Sequence, residues 1–158
     1  MQIRPTLLAR ALAATLGAGA VAYVLELQPW MRSWGSTIVE QTRTLPGDGL
    51  VPKAGVQITQ AVAVAAPCER VCAQLARVGR DRAGFHGYEH EHAFGAASRG
   101  ALVAEPAGEE TSRLIARTRI PSGLPSLAYA AVEVPHFLVQ RRLLLGIKAR
   151  AEAGAKPS

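Results

Sequence analysis

Two cysteines and two histidines stand at intervals that metal sites use. Cys68 and Cys72 are four residues apart, and His86 and His90 repeat that interval further along the chain. Thiolates and imidazoles at such spacings can form tetrahedral zinc sites. However, Cys68 and Cys72 fall on the apolar stripe of a predicted helix, not on a hairpin, and cysteine on such a face is usually a small hydrophobe. We therefore expect both cysteines to be buried and reduced and to bind no metal; a zinc site built from these four residues is the alternative.

Histidines and glutamates are concentrated in residues 86–92 (HGYEHEH). Two of these imidazoles could chelate a divalent ion or titrate near neutral pH, but a solvated polar loop is the simpler interpretation. The sequence contains no nucleophile elbow, phosphate-binding loop or H-E-x-x-H motif. Acid–base chemistry would therefore depend on this segment or on His136, which we expect to cap or flank a helix. We assign no catalytic residue and no cofactor.

The N-terminus carries a long apolar run, residues 6–25, in which Arg10 is the only charge. A helix of that length reaches about 30 Å, the thickness of a bilayer hydrocarbon core. Trp30 and Trp34 follow at helical spacing, as in an interfacial aromatic belt. The run predicts a single-pass membrane anchor over residues 1–27, with membrane lipid as a partner. A cleaved signal peptide, which would give a secreted chain, is the alternative.

Composition limits the remaining possibilities. The 158 residues suggest one domain besides the anchor, and the net charge of +6 comes from scattered arginines. Aromatic residues make up only 5 %, too few for base-stacking platforms, so we expect no nucleic-acid partner. Attraction to anionic lipid headgroups accounts more simply for the charge. Two cysteines cannot define a disulfide framework.

Proline and glycine recur throughout residues 28–55, and this density of breakers predicts an extended tether. A folded domain is expected over residues 56–152 and a flexible tail over 153–158. The domain's predicted elements, in chain order, are a strand at 56–65, a helix after Pro67, a hairpin of strands 101–105 and 111–120, and a helix at 126–150. In the last strand Arg113, Arg117 and Arg119 share a face that we expect to meet water. Pro135 should kink the final helix or mark its true start.

Several segments in this order resemble the helix-grip superfamily of START, pollen-allergen and polyketide-cyclase/dehydrase-like proteins (SRPBCC), in particular its membrane-anchored actinobacterial type. The similar segments are residues 29–35 (PWMRSWG), 45–52 (LPGDGLVP), 62–89, 105–119 and 136–152. The resemblance implies an α+β fold in which a curved antiparallel sheet grips a long C-terminal helix around an apolar cavity. Only six residues separate Phe94 from Ala101, however, so the central strands of the family are missing and the domain is a reduced helix-grip.

The resemblance also implies a function. We expect a membrane-tethered, non-catalytic binding module, intact or degenerate, for a lipid or another hydrophobic small molecule. The alternative is a polyketide cyclase/dehydrase-like enzyme acting on a hydrophobic substrate. The candidate ligand-binding residues are Phe85, Tyr88, Phe94, Phe137 and Leu138.

Overall fold

The computed structural model describes residues 7–80, 99–122 and 126–153. Its chain divides into two compact units, the first ending at Met31 and the second beginning at Arg32. Each unit is described by itself.

The first unit is a run of helix. Helix α1 (Leu7–Ala22) passes into a π-helical turn (Tyr23–Leu27) and then into α2 (Gln28–Ser33), whose last two residues belong to the second unit. Its large apolar side chains are exposed, among them Leu12, Leu16 and Leu25. The stretch Ala9–Ser33 is long and apolar enough to cross a membrane, a criterion that a signal sequence near the N-terminus also meets. The prediction of a long apolar N-terminal helix is thus confirmed.

The second unit is built on a three-stranded antiparallel sheet in the order β1-β3-β2. Its strands are β1 (Ala54–Val64), β2 (Arg99–Pro106) and β3 (Ser112–Pro121). Strand β3 lies in the centre, with Ala61 opposite Ile115 on one side and Val103 opposite the same residue on the other. The predicted hairpin and the pairing of the first and last strands are confirmed, because apolar residues alternate with period two along both.

Two long helices pack with this sheet. Helix α4 (Cys68–Arg80) follows β1, and α5 (Ser126–Ala153) packs against β1 and β3. We call the sheet face that meets α5 the inner face. Apolar residues of the sheet and both helices form its main core, which contains Val62, Val64, Val71, Leu114, Leu144 and Ile147. Helix α5 continues through Pro135. The α+β class is confirmed.

Residues 36–52 fold onto the opposite, outer face of the sheet. They contain a short helix, α3 (Ile38–Thr42), and a 3-10 turn (Asp48–Leu50). Leu45 is buried together with Ala61 and Ile115 of the outer face. An extended tether was therefore the wrong prediction for this segment. Its prolines and glycines form turns between elements that are fixed to the sheet by their side chains.

We call residues 36–52 the outer cover. The conformation of Gly35 lets the chain pass close to β1 just before this cover begins. Its φ is +68°, and a Cβ placed there would lie 2.1 Å from the carbonyl oxygen of Ala61. The close approach allows the Ala61 N–H to donate to the Trp34 carbonyl at 3.0 Å, and the Ser36 hydroxyl to donate to the Thr59 carbonyl at 2.8 Å. Trp34 and Ser36 thus form hydrogen bonds with backbone groups of β1, which is an edge strand of the sheet.

Candidate functional site

Three arginines of β3 lie on the outer face: Arg113, Arg117 and Arg119. Contrary to the prediction, they do not face water. Arg117 is only 2 % exposed and donates to the Asp48 carboxylate at 2.8 Å and to the backbone carbonyl of Glu40. Arg119 donates to the Val51 carbonyl at 3.0 Å. The prediction was wrong because alternation shows which residues share a face, but does not show what covers that face.

Glu40 is the second carboxylate of this network. It accepts hydrogen bonds from Arg113 Nε at 2.8 Å and Nη2 at 2.9 Å, and from the Thr37 N–H at 2.7 Å in a capping box. Burial alone would raise the pKa of Glu40, but these hydrogen bonds and the charge of Arg113 lower it to about 2. The same hydrogen bond raises the pKa of Arg113. These outer-face arginines are therefore bound to carboxylates of their own chain.

On the inner face, polar residues occupy some positions at which the alternation along the strands predicts apolar ones. Gln60 lies between Ile58 and Val62 on β1, and both it and Thr118 on β3 are at most 1 % exposed. These positions separate the main core from a second apolar cluster, which Ile58 and Ile120 form with Val132 packed against them. The sheet thus presents polar groups between two apolar regions.

Helix α5 also has buried polar residues between the two apolar clusters. Glu133, His136 and Gln140 are buried and fall between Val132, which packs on the second cluster, and Leu144, which belongs to the main core. The Arg32 Nε donates to Glu133 Oε1 at 2.6 Å and compensates that charge. We call these five residues the inner polar layer: Gln60, Thr118, Glu133, His136 and Gln140.

Two groups of the inner polar layer accept or donate no hydrogen bond within the described ranges. They are the hydroxyl of Thr118, which is fully buried, and the side-chain oxygen of Gln140. A buried polar group without a hydrogen bond costs about 1–3 kcal/mol. These groups therefore offer hydrogen-bonding capacity to a polar group from outside the described chain.

Aromatic residues border the layer. The Trp34 and Phe137 rings meet edge to face with centroids 6.2 Å apart, and the Arg141 guanidinium lies 5.0 Å from the Trp34 ring centroid. Trp34 is therefore packed on α5, and its place in an aromatic belt with Trp30 stays a prediction. Of the predicted ligand-binding residues, Phe137 is buried beside the layer, whereas Leu138 is 52 % exposed. Phe85, Tyr88 and Phe94 lie outside the described residues.

The cysteines lie away from this layer, on α4. Their Sγ atoms are 3.8 Å apart; Cys68 is partly buried and Cys72 is exposed. Burial was the wrong prediction for Cys72, because Val71 is the residue of that turn that enters the core. His86 and His90 lie outside the described residues, as does the rest of the 86–92 segment. Within the described parts of the chain, no group of three or more His, Cys, Asp or Glu side chains could hold a metal ion.

Sequence reasoning missed most of the inner polar layer. His136 was expected at a helix end but is buried in the body of α5, and Glu133, Gln140, Gln60 and Thr118 were not singled out. The available signal was a polar residue at an inward position of β1 and of β3, combined with three polar residues at helical spacing on α5. Comparison with protein-family models, curated proteins and solved structures finds no match to this chain.

Proposed function

We propose that this chain is a membrane-anchored, non-catalytic module that binds a lipid or another hydrophobic small molecule with a shortened helix-grip domain. The observation that carries the proposal is the inner polar layer, which lies between two apolar clusters under a long C-terminal helix. Binding sites for small molecules are mostly apolar and contain a few placed polar groups that orient the ligand.

The chemistry of the layer favours an amphiphile. An apolar chain would pack against the side chains that flank the layer, and its polar group would pair with the Thr118 hydroxyl and the Gln140 oxygen. Because the Gln140 oxygen only accepts, the ligand would contribute at least one hydrogen-bond donor. The charge of Glu133 is already compensated by Arg32, so the polar group need not be cationic.

A membrane location supports the same proposal, since a bilayer is a source of such amphiphiles. The stretch Ala9–Ser33 has the required length and composition. Fractionation of the full chain tests the anchor separately. We expect it to stay with membranes after a carbonate wash and to keep its N-terminus. A soluble chain, or a mature chain that starts near Val21, would contradict the anchor.

The binding proposal is tested by identifying molecules that copurify with the full chain in nanodiscs of one defined synthetic lipid. Solvent extraction and mass spectrometry should detect a bound amphiphile in the wild-type protein, and Thr118→Val/Gln140→Leu should retain at least about tenfold less. The matched control, Thr111→Val/Gln74→Leu, makes the same chemical changes outside the layer and should retain it fully. Equal retention by both double variants, or no bound amphiphile in the wild type, would refute the proposal.

A second candidate is an enzyme of the polyketide cyclase/dehydrase type. It is favoured by Glu133 and His136, two buried titratable residues one helical turn apart. Glu133 accepts a hydrogen bond from Arg32; a carboxylate in this place could act as a general base, and His136 could then move a proton to the product. Deuterium exchange at the acidic carbon of a β-keto thioester tests this role. Exchange that is lost in both Glu133→Gln and His136→Asn would support the enzyme, and no exchange by the wild type would exclude it.

A further inference from the structure

The cysteines of α4 form a pair whose geometry matches one edge of a tetrahedral metal site. Their Sγ atoms are 3.8 Å apart. Two ligands bound at about 2.3 Å, the usual zinc–sulfur length, lie about 3.8 Å apart when the angle at the metal is tetrahedral. The side chains of Cys68 and Cys72 thus already hold the separation that two thiolates adopt on one zinc or cadmium ion.

Oxidation to a disulfide does not suit this pair. Residues four apart on a helix have Cβ atoms about 5–6 Å from each other, whereas a disulfide needs about 3.5–4.5 Å. Closing the bond would require α4 to unwind at Cys68–Cys72. A metal ion bridges the two sulfur atoms without that movement, so chelation is the chemistry that the helix permits.

The exposure of Cys72 gives a cation access to this pair. Cys72 is exposed, so an ion can enter from solvent and keep other ligands in its remaining positions.

We propose that Cys68 and Cys72 form an exchangeable dithiolate site for a soft divalent cation such as Zn²⁺ or Cd²⁺. On binding, both sulfur–hydrogen bonds break, two metal–sulfur bonds form, and two protons pass to solvent for each ion. The site is separate from the inner polar layer and does not depend on the binding of an amphiphile.

Cadmium titration of the reduced full chain in detergent micelles tests the site. The chain has only 2 cysteines, so an ultraviolet sulfur-to-cadmium charge-transfer band reports on this pair alone. We expect a band that saturates at one ion per chain, with release of about two protons per ion. No band at stoichiometric cadmium, or saturation at one ion per two chains, would overturn the proposal.

A matched variant separates geometry from thiol content. Cys72→Ala/Ala73→Cys keeps two thiols on α4, the relocated one at an exposed position, but places them on different sides of the helix. Loss of chelation should weaken cadmium binding about a hundredfold, with the helical circular dichroism unchanged. Equal affinity of this variant and the wild type would overturn the proposal. Loss of the band in His86→Ala/His90→Ala would also overturn it, because Cys68 and Cys72 alone would then be insufficient to bind the ion.

Discussion

The two faces of the central sheet bury different kinds of polar group. On the outer face, Arg113 and Arg117 each meet a carboxylate at 2.8 Å, so the buried charges are compensated within the chain, although Arg117 Nε and Asp48 Oδ1 form no hydrogen bond among the described residues. On the inner face, the neutral Thr118 hydroxyl and the Gln140 oxygen also lack a hydrogen-bond partner among those residues. The ion pairs of the outer face attach one segment of the chain to another, whereas the unpaired neutral groups of the inner face lower stability and need another explanation.

The comparison indicates a division of roles. The outer network attaches residues 36–52 to β3 through Glu40 and Asp48, and this attachment is structural. The inner polar layer is the part of the sheet that we propose to bind an amphiphile. Changes on the outer face should therefore reduce stability, and isosteric apolar changes on the inner face should reduce ligand retention.

The largest effect is expected from Arg117→Met. This change removes the closer of the two cations that pair with the buried Asp48, leaving Arg119 at 3.5 Å, and also takes a donor from the Glu40 carbonyl. Breaking a buried ion pair typically costs about 3–5 kcal/mol. Denaturant unfolding of the full chain in micelles, followed by circular dichroism, measures the loss. Arg142→Met on the exposed surface of α5 is the control. Similar free energies of unfolding for both variants would show that the outer network does not stabilise the fold.

The next largest effect is expected from Gly35→Ala. The added Cβ would lie 2.1 Å from the Ala61 carbonyl oxygen at a φ of +68°, so the outer cover would have to shift. We expect a loss of about 2–4 kcal/mol, from steric overlap and backbone strain together. Thermal unfolding measures it. Gly49→Ala is the control, because nothing lies within 4 Å of a Cβ there, and an equal effect of both changes would contradict the close approach.

Glu40→Gln should have a smaller effect that depends on pH. The folded state lowers the pKa of Glu40 from 4.5 to about 2, so its contribution is complete above pH 4.5 and is lost as the pH falls toward 2. Above pH 4.5 the variant should be about 1–3 kcal/mol less stable than the wild type. The gap in melting temperature should narrow on acidification. A gap that stays constant, as expected for the exposed control Glu109→Gln, would contradict the role of Glu40.

The smallest effect is expected from Cys72→Ser. The side chain is exposed, and surface substitutions usually change stability by less than about 0.5 kcal/mol. Chemical denaturation measures the change. Val71→Ala on the same turn should cost about 1–3 kcal/mol, because Val71 is fully buried. A loss for Cys72→Ser as large as that for Val71→Ala would restore the prediction that this cysteine is buried.

Local patterns predicted the sheet well. Alternation of apolar residues located β1 and β3, and a run of small and polar turn residues located the hairpin between β2 and β3. Both signals act between residues that are close in sequence or repeat with the period of a strand. The long apolar N-terminal helix was predictable for the same reason, since its length and composition are local properties.

The outer cover and the inner polar layer depend on contacts between distant residues. Arg117 and Asp48 are 69 residues apart, and Arg32 and Glu133 are 101 apart. No local pattern links such partners, so proline and glycine in the cover suggested an extended tether. The T-x-x-E capping box at Thr37 and Glu40 was the one local signal of a folded element there.

An inner polar layer that is kept for a ligand should contribute nothing to the stability of the fold. The free energy of unfolding of Thr118→Val/Gln140→Leu, measured on the delipidated full chain in micelles, tests this. Each change removes a buried group that lacks a hydrogen bond among the described residues and leaves an apolar group of similar shape, so we expect stability equal to the wild type or higher by about 1–2 kcal/mol. A loss of about 2 kcal/mol or more would show that these groups stabilise the fold, and would contradict their role in ligand binding.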